Sequence, residues 1–233
     1  MKKIKSIRYF ALMATIFIVL SGVVGCSSAP KTEDSSDKKA EDIYYFILTP
    51  KSGETVSDED IESDIETLRS RFNENGYTEA TITRQDNGLR VEIPAIDYPD
   101  EVMVLIGDQG ELQFRDSKGN VKVRGEHVKD ARSGYDENGD PTVYLEFTSE
   151  GATLFASATK AIAAKEDGVE NKLFIYLGDR LISLPTVSAE IPNGQATITG
   201  IDSIDIAKTI ASIIRTGPLK TGFLIVEHGE GKI

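Results

Sequence analysis

The chain has 233 residues, with 38 acidic and 26 basic side chains and a formal net charge of −12 at pH 7. Such an acidic surface disfavours nucleic acid and anionic lipid headgroups as partners, because both present negative phosphates. The single cysteine excludes an intramolecular disulfide, and the absence of tryptophan leaves a core of mainly aliphatic side chains.

The N-terminus carries the pattern of an export signal. Four basic residues within the first eight positions precede an apolar run at 9–24, whose 16 residues are fewer than a membrane span needs. Gly25 and Cys26 then resemble a bacterial lipobox, in which the thiol takes a diacylglycerol and cleavage after Gly25 frees the amine for acylation, for example with palmitate. The alternative is an uncleaved signal anchor with an incidental cysteine. We expect residues 1–25 to be a lipoprotein signal peptide, and a lipid on Cys26 to hold the protein at the extracytoplasmic face of the cell membrane.

Residues 26–42 are polar and charged, and they contain too little apolar surface to fold on their own. We expect a flexible tether that spans roughly 20–25 Å as a coil. Ser27, rather than an aspartate, follows the cysteine, which in a host with two membranes favours transfer to the outer one. The sequence leaves the choice of membrane open.

The first half of the folded region predicts alternating strands and helices. Ser57 is a helix N-cap, and the acidic residues 58–60 suit the first turn of that helix better than they suit a metal site. Gly76 ends the helix, and Asn87-Gly88 between two alternating runs indicates a hairpin. The predicted strands are 43–49, 81–85, 89–93 and 111–115, and the predicted helices are 57–76 and 99–107.

The second half begins with residues 116–141, which are rich in Gly, Asp, Lys and Asn and predict no regular element. Ser149 and Ser203 are the predicted N-caps of two helices, and Gly217-Pro218 stops the second. The predicted buried side of that helix carries Ala207, Ile210, Ala211 and Ile214. The predicted strands are 141–147, 173–177, 181–187, 196–199 and 221–227, and the helices are 149–164 and 203–217.

This order of elements predicts an α+β fold with two lobes. Early and late segments would form one ferredoxin-like sheet, the base, and the middle of the chain would be inserted into it as an α+β head. The predicted division is base 43–115, head 116–192 and base 193–233.

No candidate for catalysis, cofactor binding or metal binding is convincing, so we do not expect an enzyme. His127 and His228 each lack a second histidine or cysteine at ligand spacing, and His228 is expected to be exposed. Asp136, Asn138 and Asp140 imitate the first ligands of a calcium loop, but position twelve is Phe147 instead of Glu. A polar turn is the better interpretation of this segment. The sequence contains neither a nucleophile elbow nor a phosphate-binding glycine loop.

Several segments resemble, in order, the first extracytoplasmic domain of the SecD family, which assists Sec-dependent protein export. In the first helix and hairpin the matching residues are Leu68, Arg69, Arg71, Gly76, Glu79, Ile82, Arg84 and Gln85. Further matches are the segments 89–94, 106–107, 111–115, 128–131, 136–143, 198–200 and 210–219. Together they cover residues 61–228, nearly all of the predicted domain.

The resemblance implies a base and a head that moves relative to it, and a domain that handles emerging polypeptide. The chain departs from the family in four ways: a lipoprotein signal replaces the first membrane helix, the glycine-rich strand before Ile43 is missing, Pro218 replaces alanine, and the chain stops at Ile233. We therefore expect no proton-coupled step within this chain.

Three functions stay open at this point. The leading hypothesis is a lipid-anchored module that binds exported polypeptide or Sec translocase components without catalysis; its polypeptide-binding residues are unknown. The second is an envelope lipoprotein that keeps the SecD-like fold without a transport role, because a fold does not fix a function. The third is a hydrolase or a small-ligand binder, which would need a polar pocket that the sequence does not disclose.

Overall fold

The computed structural model describes residues 42–51, 56–94, 96, 99–107 and 110–232. The predicted signal peptide, the cleavage site after Gly25, the lipid attachment at Cys26 and nearly all of the tether lie outside these residues and stay predictions. No helix within the described ranges is both long enough and apolar enough to cross a membrane.

The described residues form eleven strands and four α-helices. The strands are β1 (Asp42–Pro50), β2 (Thr81–Gln85), β3 (Gly88–Pro94), β4 (Leu112–Arg115), β5 (Val121–Arg124), β6 (Val128–Tyr135), β7 (Pro141–Phe147), β8 (Phe174–Leu177), β9 (Arg180–Ser183), β10 (Gln195–Ile198) and β11 (Phe223–Lys232). The helices are α1 (Asp58–Glu74), α2 (Pro99–Gly107), α3 (Ser149–Ala163) and α4 (Ile204–Thr216).

The caps of the helices agree with the sequence except at α3. The Ser57 hydroxyl accepts the backbone N–H of Asp60, as predicted for the start of α1. In α3 the N-cap is Thr148, whose hydroxyl accepts the backbone N–H of Gly151 at 3.0 Å, so the predicted cap at Ser149 is wrong by one residue. Both neighbours carry a hydroxyl, and propensity alone does not distinguish them.

The base is a four-stranded sheet in the order β11-β1-β3-β2, with every neighbouring pair antiparallel. With α1 after β1 and α4 before β11, the order is β-α-β-β-α-β, the ferredoxin-like arrangement. The central strand β1 pairs with β11 from the other end of the described chain, and Asp42 lies opposite Lys232. This confirms a ferredoxin-like base built from early and late segments.

The middle of the chain forms two further antiparallel sheets, β5-β4-β8-β9 and β10-β7-β6. Phe114 of β4, Phe147 of β7 and Phe155 of α3 hold them together, with ring centroids 4.7–5.7 Å apart. The strands β5 and β6 were not predicted. The sequence assigns β4 and β10 to the base, but they pair with strands of the predicted head. The lobe boundaries at 115/116 and 192/193 stay a prediction.

Helix α4 lies between the base and the β6–β7 hairpin, so it is buried on a broad face. Its predicted inward residues are buried, and Ile213 is buried as well. Arg215 near its end donates to the carbonyl of Ala131 in β6 and pairs with Glu74 of α1 at 2.5 Å. The helix therefore connects the two parts of the fold.

The predicted hairpin of β2 and β3 is present, but its glycine has another role than expected. The pairing ends at Gln85 opposite Gly88, so the two turn residues are Asp86 and Asn87, and Asp86 has the left-handed φ of 52°. A Cβ on Gly88 would lie 1.9 Å from the carbonyl oxygen of Leu48 in β1. The glycine is needed because β1 approaches closely, whereas the turn itself lies one step earlier.

The turn between β4 and β5 is organised by Asp116. Its carboxylate accepts the backbone N–H groups of Lys118 and Asn120, both at 2.9 Å, and pairs with Lys122 at 2.9 Å. Burial alone would raise the pKa of Asp116, but the donors of Asn120, Lys122 and Lys118 outweigh it and hold the pKa well below its usual range.

A depressed pKa at Asp116 makes stability depend on acid. The stabilisation is complete above the unfolded-state pKa of about 3.9 and is lost as the pH falls towards the lower folded-state value. We expect the urea midpoint to fall between about pH 5 and pH 2, and to fall less steeply in Asp116→Asn, which is itself less stable by about 1 kcal/mol at pH 7. Urea titrations at a series of pH values measure both slopes; equal slopes would contradict this role of Asp116.

Candidate functional site

The two histidines are far apart in the sequence and differ in exposure. His228 is exposed, as predicted, and its Nδ1 lies 2.7 Å from the Tyr44 hydroxyl, with its ring near that of Phe46. His127 is half-buried and its Nδ1 accepts the backbone N–H of Arg124 at 3.2 Å. Both rings are thus engaged in local structural contacts.

The segment that imitates a calcium loop is the turn between β6 and β7. The Asp136 carboxylate accepts the backbone N–H groups of Asn138 and Asp140, each at 2.9 Å. These hydrogen bonds close the turn, as the interpretation of this segment as a polar turn expects. Within the described residues no group of three or more His, Cys, Asp or Glu side chains is placed to hold a metal ion.

Two charged side chains are buried on the apolar face of α1. Asp64 and Arg71 are both fully buried, and they interrupt the stripe formed by Ile61, Ile65, Leu68 and Phe72. They are seven residues apart, about two helical turns, so both project from the same face. The spacing of these four apolar residues in the sequence predicts a single apolar stripe, but it does not predict the two buried charged residues within that stripe.

Asp64 and Arg71 hold the segment that joins α4 to β11. The Asp64 carboxylate accepts the backbone N–H groups of Lys220 and Thr221 at 2.6 and 3.0 Å. Burial raises the pKa of this carboxyl above its usual value, and the two backbone donors oppose that rise. The Arg71 guanidinium donates to the carbonyl of Gly217 at 2.8 Å. We call this pair the α1 clamp.

Arg71 also reaches the end of α2. Its Nη1 donates to the carbonyl of Leu105 at 2.9 Å, and its Nε donates to the Thr216 hydroxyl at 3.3 Å. One side chain therefore connects α1, α2 and the end of α4. The α1 clamp is buried, and these contacts join α1 to the end of α2, to the end of α4 and to the segment before β11. Its role is therefore to position these elements.

A small apolar crevice opens to the surface where α2, α4 and the β8–β9 hairpin meet. Its volume is about 60 Å³. Ile206 and Ile210 lie four residues apart on α4 and present one aliphatic wall. The residues that line it are Val104, Leu177, Arg180, Ile182, Ile206, Thr209 and Ile210.

The hairpin that lines the apolar crevice also has exposed aliphatic residues that do not line it. Leu181 is 46% exposed and Leu184, just after β9, is 36% exposed. A concave apolar site is the usual form of a binding site, so the crevice rather than these two residues is the candidate. The sequence predicted strands in this region but gave no binding residue, because apolar contacts from three separate elements form no sequence motif.

A second groove, of about 280 Å³, crosses the β10-β7-β6 sheet and is polar. Asp130 and Arg132 on its floor pair with each other at 2.7 Å, and Glu146 pairs with Lys129 at 2.5 Å. Its charges are neutralised internally, so this groove offers a weaker site than the apolar crevice. The crevice has no cluster of titratable groups and is suited to holding an aliphatic side chain.

Two family models match the chain. The model described as the SecDF P1 head subdomain matches residues 102–221, just over half of the chain. The model described as the N-terminal part of the P1 domain of the protein translocase subunit SecDF matches residues 61–119. The two matches together extend from α1 to the segment before β11.

The chain is also similar to curated proteins named protein translocase subunit SecD. The chain is 33% identical to the protein translocase subunit SecD of Acidaminococcus fermentans, over 77% of this chain and 42% of that protein. It is 31% identical to SecD of Dictyoglomus turgidum, over 76% of this chain and 43% of that protein. The chain thus spans about two fifths of the length of these relatives.

Solved structures agree with the two-lobed fold. A chain of SecDF, a membrane component that enhances protein export, superposes with a TM-score of 0.62 and 26% identity, over 78% of this chain and 98% of that chain. The crystal structure of SecDF in its super-membrane-facing form gives a TM-score of 0.66 and 26% identity, over 81% of this chain and 30% of that one.

Proposed function

The chain belongs to the family of the SecDF P1 domain, and from this premise we propose that it assists Sec-dependent protein export as a non-catalytic extracytoplasmic module. In this role it binds translocating or newly exported polypeptide. Components of the Sec translocase are its proposed partners. The observation that carries the proposal is the apolar crevice at the meeting point of α2, α4 and the β8–β9 hairpin.

The apolar crevice suits an unfolded client for physical reasons. A polypeptide that has just crossed a membrane is unfolded, so its aliphatic side chains are exposed to water. Moving one of them into the crevice removes apolar surface from water, which contributes about 25 cal/mol per Å². Such contacts are individually weak and need no defined client sequence, which fits a partner that handles many exported proteins.

The membrane location of the module is part of the same proposal. We propose that the signal peptide is removed after Gly25 and that a lipid on Cys26 holds the domain at the extracytoplasmic face. The polar residues 27–41 would then let the domain reach emerging polypeptide from its anchor. Incorporation of labelled palmitate into the wild-type chain, but not into Cys26→Ser, is the measurement that tests the anchor.

The crevice can be tested with one substitution on its wall. In Ile206→Gln we expect the affinity of the full chain for a fluorescent, unstructured peptide that contains leucine to fall about tenfold, because roughly 1–2 kcal/mol of apolar transfer is lost. Ile206 is half-buried, so the fold tolerates the change. Fluorescence anisotropy measures the affinity.

The matched control is Leu224→Gln, which makes the same kind of change at an aliphatic residue of β11 that is 50% exposed and does not line the crevice. It should leave the affinity unchanged. In cells, a photocrosslinker at position 206 should capture exported proteins. If it captures none, and deletion of the protein leaves secretion normal but weakens the envelope, the export role is wrong and an envelope role replaces it.

A further inference from the structure

We propose that the apolar crevice selects extended client segments in which an aliphatic residue and an acidic residue are two positions apart. This inference rests on the proposed function and specifies its substrate class. It is carried by three features of the crevice: its size, the spacing of Arg180 and Ile182 on β9, and the absence of an intramolecular partner for Arg180 among the described residues.

The size of the crevice favours aliphatic over aromatic side chains. An engineered cavity that holds benzene has a volume of about 150 Å³, whereas one water needs only about 10–15 Å³. The crevice has about 60 Å³ and is well below the size of that engineered cavity, so it favours a compact aliphatic side chain over a phenyl ring. Apart from Arg180 and Thr209, its lining residues are isoleucine, leucine and valine, which offer no partner to a polar group.

Arg180 is the charged residue at this site. It is exposed, and its side chain lines the crevice beside the aliphatic wall. Among the arginines of the described residues, Arg69 and Arg180 are the two for which the structure shows no ion pair, side-chain hydrogen bond or aromatic partner. Arg69 lies on the exposed face of α1 and does not line the crevice. Arg180 thus combines an available guanidinium with an apolar cavity.

The acidic residues nearest in sequence to the crevice have their own partners. Asp179 precedes Arg180 but its carboxylate lies 3.7 Å from Lys51 Nζ. Asp205, next to Ile206, pairs with Lys208 at 2.8 Å. The guanidinium is therefore available to a carboxylate from outside, even though the chain as a whole is acidic.

The spacing follows from strand geometry. Arg180 and Ile182 both line the crevice and are two residues apart on β9, where the pairing with β8 has a bulge at Ile182, so their Cα atoms are at most about 7 Å apart. An extended client has the same repeat, with the side chains of residues i and i+2 on one face. An aliphatic side chain that enters the crevice beside Ile182 therefore places a carboxylate two residues away opposite Arg180.

The test uses the full chain and four unstructured, fluorescent peptides of equal length. The first has leucine followed two positions later by aspartate; the second has lysine in place of the aspartate. The third has the aspartate directly after the leucine, and the fourth has phenylalanine in place of leucine. We expect the first peptide to bind about two- to fivefold more tightly than the second and the third, as suits one exposed ion pair. It should also bind more tightly than the fourth, whose phenyl ring fits the crevice less well. The preference over lysine should vanish at about 1 M salt, where the Debye length is near 3 Å.

Substitutions of Arg180 test whether this residue causes the preference for the aspartate peptide over the lysine peptide. Arg180→Glu should reverse the order of the aspartate and lysine peptides, and Arg180→Gln should make them equal. Arg69→Glu changes the net charge by the same amount away from the crevice and should keep the wild-type order. Because Arg180 is exposed, both of its variants should keep the wild-type melting temperature.

Two results would overturn different statements. If all four peptides bind equally, or if Arg180→Glu keeps the wild-type order, while Ile206→Gln still weakens binding, the selectivity for an acidic neighbour is wrong and the crevice remains a polypeptide site. If no peptide binds, or if binding is insensitive to Ile206→Gln, the polypeptide-binding function fails and the selectivity fails with it.

Discussion

Replacing Arg71 with methionine is expected to lower the free energy of unfolding by about 2–4 kcal/mol. The guanidinium is fully buried and donates to the carbonyls of Leu105 and Gly217 and to the Thr216 hydroxyl. Methionine has no donor, so the buried carbonyl of Leu105 and the part-buried acceptors of Thr216 and Gly217 would lose their partner, and each such loss is costly. Urea denaturation followed by circular dichroism measures the change.

The matched control is Arg69→Met, two residues earlier on the same helix. Arg69 is exposed, so its replacement should change the free energy of unfolding by less than about 0.5 kcal/mol. Arg71→Lys should fall between the two, because one ammonium group cannot replace a planar guanidinium at several acceptors. Equal losses in Arg71→Met and Arg69→Met would show that the α1 clamp does not stabilise the fold.

Replacing Gly88 with alanine is expected to cost more than about 3 kcal/mol, the upper part of the range for an overpacked site. The added methyl group would lie 1.9 Å from the carbonyl oxygen of Leu48, which is backbone of the central strand and cannot turn away. The strands β1 and β3 would have to separate, and this pairing joins the two halves of the base sheet. The midpoint of urea unfolding reports the loss.

Gly229→Ala is the control for this prediction. Gly229 also lies in a strand of the base sheet, but an added Cβ would meet its nearest neighbour, the Tyr45 hydroxyl, at an ordinary 3.5 Å. We expect a neutral or slightly stabilising change, because alanine has fewer unfolded conformations than glycine. If Gly88→Ala is equally neutral, the close approach of β1 to β3 is wrong.

The elements that are encoded locally could be predicted from the sequence. Ser57 with the acids after it marks the start of α1, and Gly76 with its left-handed φ of 89° follows the end of that helix. The hairpin of β2 and β3 needs only neighbouring residues, and it was predicted with its strands correctly placed. Caps, turns and apolar stripes depend on residues within a few positions, which a reader of the sequence can see.

The elements that depend on distant partners were harder to predict. The strand β5 alternates valine with a basic residue over only four positions, and β6 buries only Ala131 among polar and charged residues, so neither run stands out in a polar segment. Their pairing with β4 and β7 defines them as strands. Likewise, α4 packs on both the base and the head. It therefore buries Ile213 as well as the residues of the one apolar stripe that the sequence predicts.

The candidate site could not be predicted from the sequence for a related reason. The apolar crevice combines α2, the β8–β9 hairpin and α4, and each contributes aliphatic residues that are common in any core. What makes them a candidate site is the gap that the fold leaves between them, with Arg180, which has no partner among the described residues, at its edge. The family resemblance supplied the type of function, whereas the place where polypeptide could bind needed the three-dimensional arrangement.

The pairing of β1 with β11 has a mechanical consequence. Because Asp42 lies opposite Lys232, the first and last described residues lie at the same end of this strand pair. Tension between these two residues would act across the strands and break their hydrogen bonds one pair at a time, as a zipper opens. Tension between Pro50 and Lys232, at opposite ends of the pair, would load all of these bonds together in shear. The base is thus weak under a pull at its shared ends and strong under a pull along its strands.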